Sequence, residues 1–131
     1  MSYASQAANY RDLEILSATP ERLVVLMFDH LVIQLERARI GTERSDLELQ
    51  VASLNKARAI VGELLATLDF EKGGAIAPQL ADLYQFLLVE LIDVGQRGDI
   101  TMMRRLAGIA STLRDAFVGA AEQLTAVKLS A

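Results

Sequence analysis

The sequence predicts an all-α protein, an antiparallel four-helix bundle preceded by a short N-terminal helix or arm. Three observations lead there. Apolar residues recur at spacings of three and four along most of the chain, no stretch alternates with period two, and Pro, Gly and capping residues fall between the periodic stretches.

Residues 1–16 are polar with Tyr10, Leu13, Ile15 and Leu16 interspersed, and read as an arm or one short helix; residues 17–131 form a single bundle domain. Thr19 can accept from the first free N–H groups of a helix, and Pro20 suits the first helical position. The first long helix therefore runs from about Pro20 to Ile40, with Gly41 as its stop. Ser45 and Glu48 read as a capping box opening a second helix that runs to about Phe70. Gly73-Gly74 breaks the chain. A third helix starts between Ile76 and Pro78 and ends before Gly98, and Asp99 caps a fourth that runs to about Val127.

Composition narrows the function. The chain has 131 residues, a net charge of −4 and no cysteine, so disulfides and thiolate metal sites are excluded. A mildly acidic chain without a basic cluster is a poor match for nucleic acid. The hydrophobic fraction, 52%, is slightly above the usual range. The longest apolar runs, Leu23–Phe28 and Phe86–Val89, are far short of the ~20 residues that span a bilayer, so no membrane segment explains the excess. The N-terminus lacks the basic start and apolar stretch of a secretory signal, which makes the cytoplasm the default compartment.

Placing residues at 100° intervals shows where the excess lies. In the fourth helix Met102, Leu106, Ile109, Ala110, Leu113, Phe117, Ala120 and Leu124 form one stripe with nothing left over. In the third, Leu80, Leu83, Tyr84, Leu87, Leu91 and Val94 form the core stripe, while Phe86, Leu88, Val89 and Ile92 fall off it. In the first, Val24, Met27, Phe28, Leu31, Leu35 and Ala38 form the stripe, Val25 and Val32 lie at its edge, and Leu26 and Ile33 lie on the far side. The arm, a second copy or a partner protein could cover this surplus. Five such side chains at ~1.5–3 kcal/mol each give on the order of 10 kcal/mol when fully buried, more than the ~2–5 kcal/mol needed to order a disordered partner.

No catalytic constellation emerges. His30 is the only histidine, and a bundle di-metal site needs Glu-x-x-His motifs on facing helices; a partly exposed helix histidine fits better, and neither a metal nor a cofactor is expected. Gly73-Gly74 lacks the pattern of a phosphate loop. Ser17, Thr19 and Ser45 have no histidine base and read as caps. Tyr10, isolated in the arm, is suited to anchoring, because an aromatic ring buries much surface at low entropy cost.

Several motifs resemble one family. Tyr10, Ile15, Ala18-Thr19-Pro20, Leu23-Val24 and Leu26-Met27-Phe28-Asp29 are similar to the opening of the flagellin export chaperones, the FliS family. Lys56-Ala57, Ile60, Glu63-Leu64, Leu68-Asp69 and Gly73-Gly74-Ala75-Ile76-Ala77 continue the likeness, followed by Leu80, Leu83-Tyr84, Leu91, Asp99 and Leu113-Arg114-Asp115-Ala116-Phe117. Phe28 and Phe117 depart from the family's usual tyrosine and tryptophan but keep the ring. His30 stands where glycine is common, and Ala7 where an apolar or aromatic residue is often seen.

The resemblance implies a cytoplasmic chaperone without catalysis. It implies binding of the disordered C-terminal segment of flagellin, which prevents premature polymerisation and assists export, and it places Tyr10 at the binding surface. The candidate partner-binding residues are Tyr10, Ile15, Leu26, Ile33, Phe86, Val89 and Ile92. An export-gate or regulatory protein is a further candidate partner. The rival reading is a homodimeric bundle whose surplus faces bury one another or another apolar partner.

Overall fold

A computed structural model describes the backbone of residues 19–130 and the side chains of residues 19–120. Tyr10, Ile15 and the predicted arm lie outside the described residues, and so does the side chain of Leu124. Among the described residues five helices follow one another: α1 (Pro20–Glu43), α2 (Leu47–Ala66), α3 (Phe70–Gly73), α4 (Ile76–Arg97) and α5 (Ile100–Ser130). Among the described residues there is no strand, and the chain is an all-α bundle.

The helix starts follow local chemistry. The Arg22 N–H donates to Thr19 Oγ1 at 3.2 Å, with Pro20 in the first turn. The Met102 N–H donates to Asp99 Oδ1 at 3.0 Å. Gly98, in the left-handed region at φ 62°, ends α4 and returns its N–H to the Val94 carbonyl at 2.8 Å.

Three predicted boundaries are corrected. Gly41 does not stop α1, which continues to Glu43. Its role is close approach: a Cβ there would lie 2.8 Å from the Gln50 backbone nitrogen, and the Asp46 N–H donates to the Gly41 carbonyl at 2.7 Å. Ser45 is not the cap of α2. It takes a left-handed φ of 56° in the turn, and Asp46 caps instead, accepting from the Leu49 N–H at 3.1 Å. Finally, α2 ends at Ala66, before Phe70. The Asp69 carboxylate accepts from the Glu71 and Lys72 N–H groups, both at 3.0 Å, and starts the separate turn α3.

The long helices pack in the order α5–α1–α2–α4, and α4 and α5 touch only sparsely. Ion pairs Arg104–Glu43 (3.2 Å) and Arg114–Asp29 (3.5 Å) run along the antiparallel α1–α5 seam. Gly95 brings α4 close to α2: its carbonyl accepts from Gln50 Nε2 at 3.4 Å, and a Cβ there would meet Leu54 at 3.1 Å.

The core contains Phe28, Leu31, Leu35 and Ala38 of α1, Tyr84, Leu87, Leu91 and Val94 of α4, and Leu106 and Ala110 of α5, as the stripes predict. Met103 and Ala107 join it from outside the predicted α5 stripe, whereas Ala120 is exposed. Leu88, predicted to lie off the α4 stripe, packs against the core. The α5 helix is offset from the expected angle, since it packs mainly toward α1 and barely toward α4.

Candidate functional site

The outward face of α4 carries an uncovered apolar stripe. Phe86, Val89 and Ile92 are 45%, 64% and 50% exposed and are spaced three apart, so they line one side of the helix. The tight seam between α2 and α4 extends it. Val51 and Ile92 line a shallow groove of about 190 Å³ that also includes Asn55, Arg58 and Gln96. Val51 and Leu47 of α2 are both exposed and had not been singled out in the sequence. Val51 joins α4 only through packing, which the pattern of its own helix does not show.

The other two predicted residues separate. Ile33 is 43% exposed on α1, but α1 and α4 are diagonal in the bundle, so Ile33 lies away from the α4 stripe. Leu26 is corrected. It lies on the same side of α1 as Ile33, two turns away, yet it is only 9% exposed and stands outside the core cluster. Helical angle fixes a direction from the axis, while burial depends on what lies along that direction. Leu26 is therefore not part of the free apolar surface.

A second apolar region lies at the opposite end of the bundle from the Gly98 turn. The start of α1, the end of α2, α3, the start of α4 and the late part of α5 enclose a cavity of about 540 Å³. Val24, Leu64, Leu68, Leu80, Tyr84 and Phe117 give it apolar walls, with Glu21, Asp69 and Lys72 as its charged residues. This size lies within the ~300–1,000 Å³ range of ligand pockets. Asp69 creates the cavity's edge by starting α3, and the sparse α4–α5 contact leaves room between the helix ends. Burial pushes the Tyr84 phenol up to about 12, so the ring stays neutral at physiological pH.

No group of three or more histidines or carboxylates gathers to hold a metal among the described residues, and none of their helices is long and apolar enough to cross a membrane. His30 is partly buried on α1.

This combination, a helical bundle with apolar surface outside its core, defines the class of small helical proteins equipped to hold another polypeptide. The family pattern described as "Flagellar protein FliS" matches residues 2–124, and the chain belongs to that family. It is 34% identical over 104 residues to the flagellar secretion chaperone FliS of Salmonella typhimurium, covering 79% of this chain and 77% of that one. Its identity to the flagellar secretion chaperone FliSB of Pseudomonas aeruginosa is 25% over 108 residues, with 82% and 86% covered. For FliS of Campylobacter jejuni the identity is 30% over 84 residues, with 64% and 62% covered.

Proposed function

We propose that this chain is a cytoplasmic flagellar secretion chaperone that holds the disordered C-terminal segment of flagellin, prevents its premature polymerisation and assists its export. The uncovered α4 stripe of Phe86, Val89 and Ile92 carries this reading, and family membership and the relatives' names support it. It is a binding activity, with no catalytic step and no cofactor.

Magnitudes argue for more than one contact. Covering the exposed halves of Phe86, Val89 and Ile92 contributes on the order of 2–4 kcal/mol. Ordering a disordered segment costs about 2–5 kcal/mol, before the cost of association itself. The stripe alone therefore holds such a segment poorly. The 540 Å³ end cavity supplies the second anchor, taking apolar side chains of the same segment. Tyr10 and Ile15 add the arm's share of the binding surface, as the family resemblance implies, and Tyr10 serves as a gate that the client displaces.

Calorimetry with full-length flagellin and with flagellin lacking its C-terminal segment tests the reading. The full-length protein binds and the truncated one does not. Equal binding of the two, or binding of neither, overturns it.

A further inference from the structure

The outward face of α1 differs from that of α4 in charge. Steps of three and four return to one face of a helix, and along α1 they lead from Arg22 through Leu26, His30, Ile33, Arg37 and Ile40 to Arg44. Basic and aliphatic side chains alternate along this row, and it contains no acid. At 1.5 Å per residue the row is about 33 Å long. Arg22, Arg37 and Arg44 are exposed, Ile33 is 43% exposed, His30 and Ile40 are partly buried, and Leu26 forms a buried floor.

The row's charge is not neutralised from within. Among the described residues no carboxylate lies within ion-pair distance of Arg22, Arg37 or Arg44, whereas Arg39, Arg97, Arg104 and Arg114 each hold one. Glu36 and Glu43, the sequence neighbours of Arg37 and Arg44, are turned about 100° away and pair with Arg39 and Arg104. A chain of net charge −4 thus presents one uncompensated basic row. The α4 stripe has the opposite flanks, since Asp93 and Asp82 lie four and seven positions from Val89 on its outward face.

We propose that the outward face of α1 docks an acidic amphipathic helix of a second partner protein, one whose contact face alternates carboxylates with aliphatic side chains. Its carboxylates reach Arg22, Arg37 and Arg44, whose planar guanidinium groups bind them through paired hydrogen bonds. Its aliphatic side chains enter between the arginines and cover Ile33 and Ile40. A bilayer fits this face less well, because it needs protruding apolar side chains and those of the row sit low between longer arginines. Nucleic acid fits less well too, because no aromatic ring is interleaved to stack on bases. The α1 and α4 helices are diagonal in the bundle, so the acidic helix and a client on α4 are held at the same time.

One helix face is a small interface, in the class below about 1,200 Å² that characterises weak complexes. The complex accordingly forms with a Kd between roughly 10 µM and 1 mM. Its charges are exposed, so affinity falls as ionic strength rises.

The test is a nuclear magnetic resonance titration of the isotope-labelled full chain with a synthetic helical peptide of about 20 residues that alternates glutamate and leucine at steps of three and four. Backbone signals around Ile33, Arg37 and Ile40 shift, and those around Val89 do not. A second peptide with lysine in place of glutamate binds the wild type at least about 10-fold more weakly. The double variant Arg37→Glu, Arg44→Glu keeps its circular dichroism, loses about 10-fold or more in affinity for the glutamate peptide, and prefers the lysine peptide. Shifts centred on another face, or equal binding of both peptides to the wild type, overturn the proposal. Tighter binding to vesicles of phosphatidylserine and phosphatidylcholine than to the glutamate peptide, lost in the double variant, overturns it in favour of a membrane. Flagellin plays no part in these measurements, so their failure leaves the chaperone reading untouched.

Discussion

The rings of Phe28 and Phe117 stack with centroids 5.4 Å apart and planes 22° from parallel, joining the first and last helices beside the end cavity. Phe28 also meets Tyr84 of α4 at 6.3 Å. One ring on α1 thus links the two helices that barely touch each other. Phe28→Ala, fully buried, costs about 3–5 kcal/mol. Phe117→Ala costs less, on the order of 1–3 kcal/mol, because its ring is only partly buried. Denaturant unfolding of the two variants checks the order.

Val89 and Leu26 are both off-stripe by angle, and the structure separates them. Val89→Asp lowers affinity for the flagellin segment roughly 10- to 100-fold while helicity and melting temperature stay unchanged. Leu26→Asp lowers the melting temperature, since it places a charge at a buried position. Circular dichroism and calorimetry on the pair distinguish a binding residue from a structural one. A V89D variant that melts early would place Val89 in the stabilising core.

The α1–α2 turn contains two opposite opportunities. Gly41→Ala forces a Cβ against the Gln50 backbone nitrogen at 2.8 Å, and backbone cannot swing aside as a side chain can. A loss of about 1–3 kcal/mol follows. Ser45→Gly relieves the strain of a left-handed serine, worth ~1–2 kcal/mol, against a glycine entropy cost of ~0.5–1 kcal/mol. The net effect is a gain of up to about 1.5 kcal/mol, readable as a shift in the denaturation midpoint.

Tyr84 sets an alkaline limit. Its folded-state value, about 12, lies above the ordinary 10. Below pH 10 the phenol is neutral in both folded and unfolded chains and stability is unaffected. Between pH 10 and 12 only the unfolded chain ionises, so this group removes up to about 1.4 kcal/mol of stability per pH unit. Tyr84→Phe flattens that part of the stability–pH curve, and urea midpoints from pH 9 to 11.5 measure the difference.

Much of this was legible in the sequence. The caps Thr19 and Asp99, the Gly98 stop and the α1 and α4 core stripes lie where local pattern places them, as does the exposure of Phe86, Val89 and Ile92. These features depend on residues within one or two turns of each other, and a helix repeats its environment at 3.6 residues per turn. Tertiary structure alone decided the rest. Gly41 is glycine because α2 passes close by, Leu26 is buried although its angle points outward, and Val51 extends a stripe that belongs to another helix. The end cavity exists because five helices meet there while α4 and α5 diverge. Periodicity records each residue's direction from its own axis, whereas these outcomes depend on which distant segment lies along that direction.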